Sequence, residues 1–114
     1  MPPIQIADDD LLYRRLAPGH LYPNGAANSN AFKLNGAPDP QISVDLARLT
    51  TVDESVMSAG RPGFRVGVLR VGDVRKLGLE VIHDPTDENV SHCIITGNTQ
   101  RATCTLLAEL TKVI

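Results

Sequence analysis

Aromatic residues are scarce in this sequence. It has no tryptophan, and two phenylalanines and two tyrosines make up 4% of its 114 residues. Little aromatic surface is therefore available for stacking on bases, which argues against binding of single-stranded nucleic acid. The sequence also lacks a run of Lys and Arg, since both signs of charge are spread along a chain of net charge −2. A binder of phosphate backbones would show a basic stripe. The composition therefore predicts no nucleic-acid partner.

Long apolar runs are missing as well. No stretch approaches the roughly 20 apolar residues of a membrane-spanning helix, so we expect no membrane association. Three acidic residues, Asp8 to Asp10, stand where a signal peptide would be basic and then apolar. This pattern predicts a cytoplasmic protein. Its two cysteines, Cys93 and Cys104, are then expected to be reduced and buried.

The remaining composition is typical of one globular domain, with 42% hydrophobic and 21% charged residues. Residues 1–10 are predicted to be a loose arm, because Pro2 and Pro3 disfavour a helix and the three aspartates repel one another. Residues 11–114 are predicted to form a single domain. Residues 17–41 are rich in Pro, Gly and Asn, which predicts a long loop that a short strand or helix could divide.

The apolar pattern predicts five strands, although the first, LLYRRL, fits neither a strand nor a helix period cleanly and could also be a short helix. Their predicted ranges are 11–16, 41–46, 64–71, 79–82 and 92–96. The second shows the clearest alternation, because Ile42, Val44 and Leu46 share one face while Ser43 and Asp45 lie on the other.

Three helices are also predicted. The first spans 52–59, because Thr51 and Glu54 form a capping box and a Gly- and Pro-rich turn follows at 60–63. The second is short, over 73–77, and the third opens at 97–99. In the third, Ala102, Leu106 and Leu110 recur every four residues beside Leu107 and Val113, which indicates an apolar stripe.

These elements predict an α+β fold. We expect a single small sheet, mixed or antiparallel, covered by two or three helices. The C-terminal amphipathic helix is expected to pack on the sheet through its apolar stripe.

Candidate catalytic residues lie in the most polar segment. His83, Asp84 and His92 would place imidazoles beside a fixed negative charge, and His20 could reach them from the long loop. Such a set could exchange protons or bind a divalent metal. However, a spacing of nine residues matches no zinc motif, so no metal is assigned and no cofactor is predicted. The alternative is an acidic, solvated turn between two strands.

A candidate anion site involves two separate turns. Arg61 and Arg65 flank a Pro-Gly turn, and arginine binds carboxylates and phosphates through a planar pair of donors. Asn98 and Thr99 lie where a strand passes into a helix, a frequent place for anions. The alternatives are solvent-facing strand arginines and an ordinary helix cap.

Five segments carry a resemblance to known proteins. They are LYRRL at 12–16, Ala31-Phe32, ISVDLARLTT at 42–51, VGVLRVGDVRKLGL at 66–79 and HDPTDENVSHCIITG at 83–97. The sequence resembles an uncharacterised family of small bacterial proteins. This resemblance implies a bacterial origin and a self-contained domain, and it assigns no catalytic residue.

Because no complete catalytic motif is present, we expect a non-enzymatic accessory or protein-interaction domain. The sequence leaves open both a protein partner and a homodimer. The alternative is a small metal-assisted or general-base hydrolase that uses the His83, Asp84 and His92 cluster. A third hypothesis is an anion sensor built on the two turns described above.

Overall fold

The computed structural model describes residues 4–57, 60 and 63–114. Within these ranges the chain forms eight strands and three α-helices. The strands are β1 (Leu11–Leu16), β2 (Lys33–Leu34), β3 (Ala37–Pro38), β4 (Gln41–Leu46), β5 (Arg65–Arg70), β6 (Glu80–His83), β7 (His92–Thr96) and β8 (Lys112–Val113). The helices are α1 (Val52–Met57), α2 (Val71–Lys76) and α3 (Arg101–Leu110).

Six of these strands form one sheet in the order β6-β7-β4-β1-β5-β8. Every neighbouring pair in it is antiparallel. The predicted α+β class is therefore confirmed, and of the two sheet types expected the antiparallel one is present. Strands β2 and β3 form a separate small hairpin.

The two faces of the sheet differ in what covers them. We call the face that carries Leu12, Leu16 and Ile42 the core face, and all three residues are fully buried. Side chains from α2, α3 and the 3-10 helix Ser29–Phe32 join the same hydrophobic cluster. The opposite face, which we call the outer face, carries Tyr13, Ser43, Asp45 and His92 because side chains alternate along a strand. Part of this outer face is covered by α1.

Helix α3 packs on the sheet as predicted, but within α3 only Leu107 of the predicted stripe is buried. Leu106 and Leu110 are 44% and 39% exposed and Ala102 is exposed too, whereas the buried side is formed by Cys104, Leu107 and Ala108. Cysteine and alanine are small, which lets α3 approach the Ser29–Phe32 helix closely. The thiol of Cys104 donates a hydrogen bond to the carbonyl oxygen of Phe32 at 3.3 Å.

The element boundaries differ modestly from those predicted. Strands β1, β4 and β7 have the predicted ends, and α1 begins at Val52 as expected. Helix α2 begins two residues early, at Val71, and α3 begins at Arg101 rather than at 97–99. The predicted end of α1 at Ala59, and the turn residues 61 and 62, lie outside the described residues.

The segment 17–41, predicted as a long loop, contains ordered structure. It includes 3-10 helices at Pro18–His20 and Ser29–Phe32 and then the β2–β3 hairpin. Asn35 and Gly36 connect that hairpin with positive φ angles of 53° and 81°, as a tight two-residue turn requires. Phe32 is fully buried, so this segment contributes to the core.

The N-terminal arm is also different from the prediction. Residues 4–10 are held against the domain, because Ile6 is buried, Asp10 pairs with Arg48 at 2.8 Å and Asp8 pairs with Arg75 at 2.6 Å. These two arginines offset the repulsion among the aspartates on which the prediction of a loose arm rested. None of the helices in the described ranges has the length and apolar content needed to cross a membrane.

Candidate functional site

The most deeply buried carboxylate described is Asp45, which is 1% exposed on the outer face of β4. It accepts hydrogen bonds from the Ser55 hydroxyl at 2.6 Å and from the Asn89 amide at 2.9 Å. It also forms an ion pair with Arg15 at 3.2 Å. A buried charge requires such partners, so the carboxylate is satisfied. One side chain thereby ties three separate segments together.

Each of the partners fixes a different piece of structure. Ser55 lies in α1, whose first turn is capped by a bond from the Glu54 N–H to the Thr51 hydroxyl at 3.1 Å. This is the N-terminal cap predicted from the sequence. Asn89 lies in the turn after β6, where its own N–H donates to the Thr86 hydroxyl at 2.9 Å. Asp45 therefore holds α1 and this turn at a fixed separation.

Between them runs a solvent-open groove of about 340 Å³, which we call the α1 groove. It is lined by Leu49, Thr50, Glu54, Met57, Glu88, Asn89, Val90 and Ser91. Met57 is 77% exposed and Val90 is 50% exposed. Both charged residues of the lining are acidic, so the groove combines apolar surface with negative charge.

The predicted catalytic cluster does not assemble as one site. His83 is 4% exposed and points to the core face, where Nδ1 accepts from the Ile4 N–H at 3.1 Å and Nε2 donates to the Val90 carbonyl at 2.7 Å. His92 follows Val90 by two residues and lies on the outer face. There its Nδ1 is 3.3 Å from Asp84 Oδ2. The structure thus joins Asp84 with His92 and separates both from His83.

His20 makes its side-chain contact in a different segment. Its Nδ1 accepts a hydrogen bond from the Ala17 N–H at 3.1 Å within the 17–41 segment. Burial, together with the nearby positive charge of Arg14, lowers the pKa of His20 below its usual value. The neutral ring is therefore the form that the fold accommodates.

The predicted anion residues do not come together either. Arg65 lies in β5, while Asn98 and Thr99 follow β7, and strands β4 and β1 intervene. Three strand spacings of about 4.8 Å each separate them. The Thr99 hydroxyl donates to the Asp39 carbonyl at 3.0 Å, so it has a structural partner. Arg61 lies outside the described residues.

Within the described part of the chain there is no metal cluster, and the cavity at one end of β4 and β7 is not lined by a histidine. Among the described residues, no three His, Cys, Asp or Glu side chains come together as metal ligands. A cavity of about 530 Å³ lies at one end of β4 and β7, and its lining is Leu34, Asp39, Pro40, Gln41, Thr96 and Gly97. We take the α1 groove as the candidate, since it places the exposed apolar side chains of Met57 and Val90 between walls that Asp45 holds in place.

Sequence reasoning missed Asp45, Ser55 and Asn89. Alternation in β4 placed Asp45 on the polar face, and that face is solvated in many antiparallel sheets. The burial of Asp45 depends on α1 and on the turn after β6, which are distant in sequence. The Thr86 and Asn89 pair was the one local signal, because such residues build turns through their side chains.

Comparison of the chain with protein-family models, with curated proteins and with solved structures found no match.

Proposed function

We propose that this protein is an interaction domain that binds a partner protein through the α1 groove. The observation that carries the proposal is the exposure of Met57 and Val90, 77% and 50%, beside the carboxylates of Glu54 and Glu88. Exposed apolar surface with a polar rim is characteristic of protein interaction sites. Methionine suits such surfaces because its flexible, polarisable side chain adapts to different partners.

The chemistry of the groove favours one kind of occupant. A large apolar side chain of the partner would pack between Met57 and Val90, and a flanking Lys or Arg residue would face Glu88. A volume of about 340 Å³ suits a short peptide segment of this kind. The same negative charge would repel phosphate groups, which favours a protein partner over a nucleic acid.

The frame of the groove supports binding with little rearrangement. Ser55 and Asn89 are both bonded to Asp45, so the two walls are held in place before a partner arrives. Such preorganisation lowers the entropic cost of association. Because the groove is small, we expect a weak and transient complex.

We further propose that the protein acts in the cytoplasm and belongs to the bacterial family that its sequence resembles. Cys93 and Cys104 are free, buried thiols, as is usual in a reducing compartment. The family relationship rests on the five sequence segments given above.

The proposal is tested by selecting random peptides displayed on phage against the immobilised protein. We expect the enriched peptides to combine one large apolar residue with Lys or Arg. In a titration followed by NMR, such a peptide should shift the amide signals of Thr50 and Val90. Its affinity should fall about tenfold in Glu88→Lys, because an attraction of a few tenths to 1 kcal/mol becomes a comparable repulsion.

The matched control is Glu109→Lys, which makes the same charge change on an exposed position of α3. It should leave peptide affinity unchanged. Selection of acidic peptides, or of none, would contradict the proposal. So would a dimer in solution whose dissociation on dilution shifts the groove signals, because the occupant would then be a second copy of the chain.

A further inference from the structure

A second group of polar side chains lies on the outer face, apart from the α1 groove. His92 in β7 is flanked by Asp84, which follows β6, and by Ser43 in β4. Its Nε2 is 3.3 Å from the Ser43 hydroxyl oxygen. Its Nδ1 is 2.9 Å from the Asp84 carbonyl oxygen and 3.3 Å from Asp84 Oδ2. Serine, imidazole and carboxylate thus form a chain of contacts across three adjacent strands.

The contacts of His92 define which tautomer its neutral ring adopts. Both oxygens of Asp84 near Nδ1 are acceptors, so the neutral ring carries its proton on Nδ1. Nε2 then has a free electron pair, which can only accept the hydroxyl proton of Ser43. This is the tautomer in which histidine acts as a general base toward serine.

The group is within reach of a molecule in solution. The His92 side chain is 20% exposed and that of Asp84 is 57% exposed, while Ser43 is partly exposed. Two isoleucines lie near them on the same face. Ile94 pairs with Ser43 in the β4–β7 register, and Ile82 pairs with Ile94. An apolar acyl group could rest on these two side chains while its carbonyl carbon approaches the hydroxyl.

We propose that Ser43 is a nucleophile, activated by His92, that accepts acyl groups from small apolar esters. The hydroxyl oxygen of Ser43 adds to the ester carbonyl carbon as its proton passes to Nε2 of His92. The ester C–O bond then breaks, and the leaving alcohol takes that proton. Water, deprotonated in turn by His92, hydrolyses the acyl-serine, so one ester and one water yield one acid and one alcohol. Asp84 is a positioning residue that orients the imidazole.

The expected rate enhancement follows from the surroundings of Ser43 and His92. General-base assistance contributes about 10²- to 10⁴-fold to such reactions. Because the serine lies on an open sheet face, solvent meets the developing oxyanion, and the further gain from an oxyanion hole is not expected. We therefore expect slow turnover. The rate should exceed that of a serine hydroxyl without a general base by a factor at the lower end of this range.

The test is labelling of the folded protein with a fluorophosphonate, which forms a stable adduct on activated serines, followed by mapping of the adduct by mass spectrometry. The adduct should form at Ser43 and should be lost in Ser43→Ala. His92→Gln should lower the labelling rate about 10²-fold. The matched control Ser29→Ala, at a serine of the 17–41 segment, should label like the wild type.

The role of Asp84 is tested by comparing the labelling rates of Asp84→Asn and Asp84→Ala. In Asp84→Asn the side-chain amide oxygen can still accept a hydrogen bond from Nδ1 of His92, so labelling should stay close to the wild-type rate. Asp84→Ala loses this acceptor and should label more slowly, and this rescue by the conservative variant identifies an orienting role.

Absence of an adduct at Ser43, or equal labelling rates in wild type and His92→Gln, would overturn the proposal. An adduct that also forms in urea-unfolded protein would overturn it too, because the contact between Ser43 and His92 exists only in the fold. These outcomes are independent of the groove, since Glu88→Lys should label normally whether or not it binds peptides.

Discussion

At the scale of single residues, Asp45 has the largest expected effect on stability among the polar side chains. Asp45→Ala would leave Ser55, Asn89 and the largely buried Arg15 without their shared acceptor. Unpaired buried polar groups are costly, so we expect the free energy of unfolding to fall by about 2–3 kcal/mol. Urea unfolding followed by circular dichroism measures this change.

Asp87→Ala is the matched control, because Asp87 is an exposed carboxylate in the neighbouring turn. Its effect should stay within about 0.5 kcal/mol. Equal stability of the two variants would show that the Asp45 network does not hold α1 and the turn in place.

His20 links stability to pH. Burial and the charge of Arg14 lower the pKa of His20 below 6.5, so the unfolded chain takes up a proton at pH values where the folded chain does not. Stability from the neutral ring is therefore present above about pH 6.5 and is lost as the pH falls below it. Wild type should lose more stability than His20→Gln between pH 7.5 and pH 5.5 in urea unfolding. An identical loss in both proteins would contradict this assignment.

At the scale of elements, α3 offers two adjacent leucines with opposite environments. Leu107 is fully buried and Leu106 is 44% exposed. Leu107→Ala should lower the free energy of unfolding by about 2–4 kcal/mol, because it leaves a cavity in the core. Leu106→Ala should cost about 0.5 kcal/mol or less. Chemical denaturation of both variants decides which face of the helix packs on the sheet, and the reverse order would contradict the burial of Leu107.

Prediction from sequence succeeded where neighbouring residues determine the structure, and it failed where contacts between distant segments determine it. Strand β4 was predicted with its correct ends because Ile42, Val44 and Leu46 alternate with polar residues, and alternation is a local property. The packed side of α3 was predicted only at Leu107, because the helix packs against Ser29–Phe32, a segment distant in sequence. That partner lies in a segment interpreted as a loop.

The polar residues of the outer face show the same limit of prediction from local sequence. Asp84 and His92 were both named from sequence, and their contact follows from the pairing of β6 with β7. The role of Ser43 requires the pairing of β4 with β7, which joins residues about fifty positions apart. Asp45 was placed only on the polar face of its strand, because nothing near it in sequence indicates that α1 covers it.

At the scale of the whole molecule, the two thiols report on unfolding. Cys93 and Cys104 are fully buried, and burial raises the pKa of Cys93 to about 11 and also raises that of Cys104. Since the thiolate is the reactive form, neither should react with Ellman's reagent at pH 8 within minutes. Both should react promptly in concentrated urea, as followed by absorbance. Rapid reaction of either thiol in the native protein would indicate local opening of the core.

The position of β1 in the middle of the sheet has a consequence for how the protein is made. The strand that leaves the ribosome before the others is flanked by β4 and β5, whose residues are added some thirty to sixty positions later. The side chains of Leu12 and Leu16 therefore remain exposed to solvent until most of the chain has been synthesised. During this time the nascent protein is prone to aggregate. A fold in which strands adjacent in sequence also pair in the sheet would avoid this risk.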